Sequence, residues 1–142
     1  MIKVKCKLLH PNAKVPTKAY KFDSCFDLYS VEHEIILSGE YKEVNLGIAI
    51  EPPLRYGVFL RARSSQGKNG IQIHNGTVDQ GFRGCLSVFI YNHSSNPYIV
   101  DVGDKIAQAF IESIQEVEFE ETDTLSESER GKKGFGSSDK KI

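Results

Sequence analysis

Apolar residues in this chain recur at every second position in short runs, and each run is closed by a turn signal within about eight to twelve residues. Such a chain is expected to build antiparallel strands. Residues 1 to 8 alternate apolar residues with lysine, and His10 to Lys21, broken by Pro11 and Pro16, reads as a surface loop. In Phe22 to Tyr29, Phe26 and Leu28 alternate against Asp27, which is expected to face away from the core. Further strands are predicted at Glu34 to Leu37, Glu43 to Ile50, Gly57 to Arg61, Ile71 to His74, Leu86 to Tyr91, Tyr98 to Val100 and Lys105 to Ile114. Ser38-Gly39, Pro52-Pro53, Asn92 to Pro97 and Asp101 to Asp104 supply turns, and only Ser65 to Asn69 suits a helical turn. The expected class is all-β, a sandwich or jelly-roll-like barrel.

With 142 residues the chain fits one domain, large enough to bury roughly 68–70% of its unfolded surface. A formal net charge of −1 gives no basic footprint, so duplex nucleic acid is not an expected partner and any phosphate site must be local. Cys6, Cys25 and Cys85 show no zinc-ligand spacing and read as reduced thiols in a cytosol-like compartment. The lysine-alternating N-terminus is unlike a signal peptide, and no run approaches about 18 apolar residues, so no membrane partner is expected. The expected location is the cytoplasm, or the host cell interior for a viral protein.

The densest chemistry lies in Gly76-Thr77-Val78-Asp79-Gln80-Gly81-Phe82-Arg83-Gly84. Glycines permit close backbone approach to a ligand, and Asp79 beside Val78 suggests a carboxylate at a strand rim, partly walled from water and suited to general-base work. The same residues also suit a hairpin in which Asp and Gly only satisfy turn geometry. Glu116 to Glu121 alternates acids with Val117 and Phe119, as an edge strand needing a partner surface would, or as a solvated acidic face. Residues 130 to 138 mix glycines, hydroxyls and cations around Phe135, which fits either a mobile tail or an arm that closes on a ligand.

Five stretches in order resemble the five motifs of the trimeric dUTPases (deoxyuridine triphosphate diphosphatases). They are Ser24 to Leu28, Ala62 to Ser65, Gly76 to Gly84, Gly103 to Gln108, and Arg130 to Ser138. The resemblance implies a distorted jelly-roll β-barrel over residues 1–125 with a flexible C-terminal arm over 126–142. It also implies a homotrimer with exchanged arms, whose active sites lie between subunits, and hydrolysis of dUTP to dUMP and pyrophosphate with Mg2+. Such a reaction limits uracil in DNA and supplies dUMP for thymidylate synthesis.

By the same resemblance, Asp79 is the catalytic carboxylate that deprotonates the attacking water, and Gln108 helps hold that water and phosphate. Arg63, Ser64 and Ser65 bind the oxygens between phosphates. Phe82 is the wall under deoxyribose, standing where tyrosine is usual. Asn75, Gly76 and Val78 belong to the hairpin that reads uracil, with Ile73 where asparagine is common. Arg130, Ser137 and Ser138 grip the γ-phosphate; Phe135 stacks on the base, with Gly136 beside it. Asp27 supports the metal's water shell or neighbouring arginines. Ala62 stands for the usual proline, Ser24-Cys25 for Ala-Gly, and Lys133 and Asp139 for glycines.

Two other readings remain open at this level. The related dCTP deaminases share the Arg-Ser-Ser motif but use a glutamate where this chain has Ile90, and Leu86 to Asn92 holds no carboxylate. A non-catalytic trimer that binds a regulatory protein would have no need of an intact Asp79 and arm.

Overall fold

The computed structural model describes residues 2–74 and 76–134. Among them, eleven strands and one short helix follow in order: β1 (Lys5–Leu8), β2 (Phe26–Tyr29), β3 (Glu34–Ile36), β4 (Tyr41–Asn45), β5 (Ile48–Glu51), β6 (Tyr56–Arg61), α1 (Ser64–Lys68), β7 (Ile71–Ile73), β8 (Gly76–Val78), β9 (Ser87–Asn92), β10 (Tyr98–Val100) and β11 (Lys105–Ser113). All strand pairs are antiparallel. One sheet has the order β2-β11-β6-β8 and a second β4-β9-β7, with β1-β5 and β10-β3 as two-stranded pieces. Consecutive strands mostly fall in different sheets, the long-range antiparallel winding expected of a distorted jelly-roll barrel.

Period-two alternation drives the closure. In β9, Val88, Ile90 and Asn92 are buried while Phe89 is exposed between them. Leu28, Ile36, Val44, Ile90, Val100 and Ile106 join one core cluster. Each such side chain, fully buried, contributes about 1.5–3 kcal/mol. Buried Asn92 is satisfied, its amide donating to the carbonyls of Ile36 and Asn96 at 2.8 Å each. Cys6, Cys25 and Cys85 are all free thiols, and burial pushes the Cys6 thiol's pKa up.

One strand expectation is corrected. The run Glu43 to Ile50 is two strands, broken at Leu46-Gly47 where the chain leaves β4 and enters the β1-β5 pair. Gly47 has φ +64°, and a Cβ there would lie 2.7 Å from Val31 Cγ1. The corner needs glycine, and Asn45 Oδ1 fastens it by accepting the Gly47 N–H at 2.7 Å. Glu116 to Glu121 pairs with no strand among the described residues: β11 ends at Ser113, and Val117 and Phe119 are 76% and 98% exposed, as in a segment that needs a partner surface or in a solvated acidic face.

No described helix is long and apolar enough to cross a membrane.

Candidate active site

β8 pairs with the middle of β6, Val58 opposite Val78 and Leu60 opposite Gly76. Val78 thereby sends its side chain into the core, leaving only its backbone to offer a ligand. Asp79 is the first residue past the strand. The loop after it is closed by its own hydrogen bonds: Phe82 N–H donates to the Asp79 carbonyl at 3.0 Å, and one Arg83 guanidinium nitrogen donates to the carbonyls of Gln80 and Phe82 at 2.7 and 2.9 Å. His74, Gly76, Asp79, Phe82, Cys85 and Phe89 line a cleft of about 420 Å³, a size that suits a nucleoside.

Asp79 was expected to be partly walled from water, yet in the single chain it is exposed. Any wall over it must come from elsewhere. Among the described residues no hydrogen bond or ion pair engages its carboxylate. A carboxylate with free lone pairs beside an apolar ring can accept a proton.

The second cleft, about 430 Å³, forms where β6 ends. There Ala62 leads into the turn that starts α1, and Gln66 makes the turn rigid. Its side-chain oxygen accepts the Arg63 N–H at 2.9 Å while its amide donates to the Ile106 carbonyl at 2.7 Å. Ser64 and Ser65 stand exposed in the first turn; the Gln66 N–H donates to the Arg63 carbonyl at 3.0 Å, while the Ser64 and Ser65 N–H groups lie ahead of any intrahelical acceptor. Gln108 on β11 closes the floor by donating to the Ala62 carbonyl at 2.8 Å.

Asp27, across the sheet from Gln108, points away from the core as expected but is not free. Its side chain is 12% exposed, with one oxygen 3.0 Å from Arg63 Nε and the other 2.7 Å from Lys105 Nζ. Arg63 also donates to the Lys105 carbonyl at 3.3 Å. Asp27 thus orients Arg63; with Asp23 also lining the cleft, two carboxylates balance two cations, so an anion there is held by directed donors and not by net charge. The hydrogen bond to Asp27 raises the Lys105 pKa, so the ammonium stays charged at every neutral pH. Lys105 is a residue the motif reading did not single out, although it sits inside Gly103 to Gln108. Its ion pair joins β2 to β11, which no spacing in the sequence reveals.

The two clefts do not meet within one chain. By the register of β6 with β8, Asp79 falls opposite Gly57, and Arg63 lies six residues further along. At about 3.3 Å per residue, that is about 20 Å. The structure therefore joins Gly76, Asp79 and Phe82 at one place and Asp27, Arg63, Ser64, Ser65 and Gln108 at another. Arg130 lines neither cleft; its guanidinium Nε donates to the Lys133 carbonyl at 3.1 Å. Asn75, Phe135, Gly136, Ser137 and Ser138 lie outside the described residues. His74 belongs to the hairpin Ile73 to Gly76 expected to read uracil, whereas Cys85 and Phe89 join the first cleft without having been anticipated, because Phe89 is brought there by the pairing of β9 with β7.

Comparison with known proteins identifies the family. The dUTPase family model matches residues 11–139. The deoxyuridine 5'-triphosphate nucleotidohydrolase of Clostridioides difficile is 41% identical over 140 residues, covering 96% of this chain and 98% of that protein. The protein of the same name from Clostridium tetani is 42% identical, covering 96% and 97%. A Staphylococcus bacteriophage 80alpha dUTPase variant solved with dUpNHpp superposes with a TM-score of 0.90 at 27% identity, covering 96% of this chain and 98% of that one. A phage phi11 dUTPase, 22% identical with a TM-score of 0.82, shares the fold and was solved with a structural Mg(II) ion. The chain belongs to the dUTPase family.

Proposed function

We propose that this protein hydrolyses dUTP to dUMP and pyrophosphate in sites assembled between copies of the chain. The observation that carries the reading is the division of labour along β6. A carboxylate with no partner among the described residues lies beside an aromatic ring in one cleft, and an arginine with two hydroxyls lines another that shares no residue with it. An extended nucleoside triphosphate needs both halves within a few ångströms of each other, and only a second copy can bring them there. A closed trimer supplies three such junctions through one repeated interface.

In each site, Asp79 and Phe82 come from one subunit and Arg63, Ser64, Ser65 and Gln108 from the next. The Asp79 carboxylate takes a proton from water as its oxygen bonds to the α-phosphorus. The bond from that phosphorus to the oxygen bridging to the β-phosphate breaks, and pyrophosphate leaves. Negative charge grows on the bridging oxygen and β-phosphate, where Arg63 and the Ser64 and Ser65 donors stabilise it. Asp27 keeps Arg63 aimed at that place. The Phe82 ring lies under the deoxyribose and leaves no room for a 2′-hydroxyl. Asn75, Gly76 and the Val78 backbone face the base.

Residues 126–142 act as an arm from a further subunit, with Arg130, Ser137 and Ser138 on the γ-phosphate and Phe135 and Gly136 over the base. Fixing roughly nine such residues costs on the order of 10 kcal/mol, so a ligand carrying both base and γ-phosphate is needed to order them.

The residues present fit magnesium carried by the triphosphate. Among the described residues no group of three or more His, Cys, Asp or Glu side chains forms a metal cage. Asp27 and Asp23 stand in the phosphate cleft as carboxylates able to accept hydrogen bonds from a metal's water shell. Bound there, Mg2+ supplies charge neutralisation on the phosphates.

Arm exchange is supported by a surface match. Lys3, Lys5, Lys18 and Lys21 rim an apolar cleft of about 770 Å³ floored by Phe26, Val58 and Ala109. The unpaired segment 116–121, with Val117 and Phe119 between glutamates, is complementary in both charge and apolarity, and the occupant is this segment of a neighbouring copy.

Pyrophosphate release assayed across dUTP, dCTP, dTTP and UTP, with and without magnesium, tests the function. Turnover of dUTP far above the other three supports it. Ammonia release from dCTP would instead favour the deaminase relatives, and binding without turnover of any nucleotide a regulatory trimer.

A further inference from the structure

The nucleoside cleft holds a close contact that the hydrolytic steps do not use. A Cβ on Gly84 would lie 2.4 Å from Phe82 Cζ and 2.9 Å from Cε2. The ring edge therefore rests on bare backbone. The backbone beneath it is fastened on both sides: before Gly84, Phe82 N–H donates to the Asp79 carbonyl at 3.0 Å and Arg83 donates to the carbonyls of Gln80 and Phe82, and after it Leu86 N–H donates to the Ile48 carbonyl at 2.8 Å. Arg83 Nε in turn faces Glu51 at 3.7 Å, and Glu51 is held by Lys5 at 2.8 Å.

We propose that Gly84 is a specificity-determining position, its missing side chain setting the height at which the Phe82 ring meets the sugar. The proposal rests on the reading of Phe82 as the wall under deoxyribose. With the loop backbone pinned, a methyl group at position 84 can be relieved only by the ring. The ring edge must travel about 1 Å to regain ordinary contact at 3.4 Å. Phe82 is 46% exposed, and its open side is the cleft. The ring therefore rises into the volume the sugar occupies. Gly84 is a positioning residue, and its effect belongs in KM more than in kcat.

The test is a four-variant cycle: parent, Gly84→Ala, Phe82→Ala and the double variant, each assayed with dUTP and UTP. Gly84→Ala is expected to raise KM for dUTP about tenfold or more while kcat stays within about threefold, since a displacement near 1 Å in a binding site is costly. In the Phe82→Ala background the same methyl is expected to cost less than about twofold, because no ring remains to be pushed. Equal losses in both backgrounds, or no loss with the ring present, overturn the proposal.

The wall reading is judged separately by Phe82→Ala alone, which is expected to narrow the preference for dUTP over UTP. An unchanged preference overturns that reading, and with it the assignment of specificity to Gly84. Should Gly84→Ala alone fail to fold, the double variant is expected to fold with the clash removed. An unfolded double variant would overturn the proposal.

Discussion

Two aspartates in this chain differ in a way that decides their roles. Asp27 has both oxygens committed to Arg63 and Lys105, whereas the Asp79 carboxylate has no partner among the described residues. Asp79→Asn keeps the size and loses the base, so kcat should fall about 10²- to 10⁴-fold with nucleotide affinity retained, as read by pyrophosphate release and calorimetry. Asp27→Asn leaves two cations facing each other. It should lower the urea-unfolding midpoint and raise KM more than it lowers kcat. The pH dependence of that cluster follows from Lys105. Its pKa is raised in the folded state, so its stabilisation is fully present below the ordinary value of 10.5 and is lost as pH rises past it. Stability measured in Lys105→Met should match the parent only above that range. Sequence motifs point to Asp27 and Asp79 alike; the burial of one and the exposure of the other come from strand pairing, which motifs do not encode.

Among the elements, period-two runs anticipated most strands within a few residues, because one buried face is enough to fix alternation. They failed where the chain turns a corner, and they left two readings for the segment that leaves the body. At the first, Gly47 sits at φ +64° against Val31 and His10. Gly47→Ala should destabilise by about 2–4 kcal/mol through overpacking and left-handed strain, measured by thermal or urea unfolding. At the second, the alternation of residues 116–121 is that of a strand, yet no strand among the described residues pairs with it. Val117→Asp with Phe119→Asp should leave the fold intact by circular dichroism while shifting the mass in sedimentation from trimer towards monomer. An unchanged trimer would mean the segment is a solvated acidic face.

The whole molecule explains why the motifs are spread from residue 24 to 138 without converging in one chain. Each copy holds Asp79 and Phe82 in one cleft and Arg63, Ser64 and Ser65 in another, and the two clefts share no lining residue. A single sequence shows what each half contains and is silent on how copies meet, since that depends on surfaces formed only after folding. The separation makes a direct measurement available. Asp79→Asn and Arg63→Ala, each inactive on its own, are mixed in equal amounts, unfolded and refolded together, and assayed for dUTP hydrolysis. If sites are shared between subunits, three quarters of the trimers are mixed and each has one intact site of three, so about a quarter of the parental activity should return. Activity no higher than that of the two variants refolded separately would contradict a shared site.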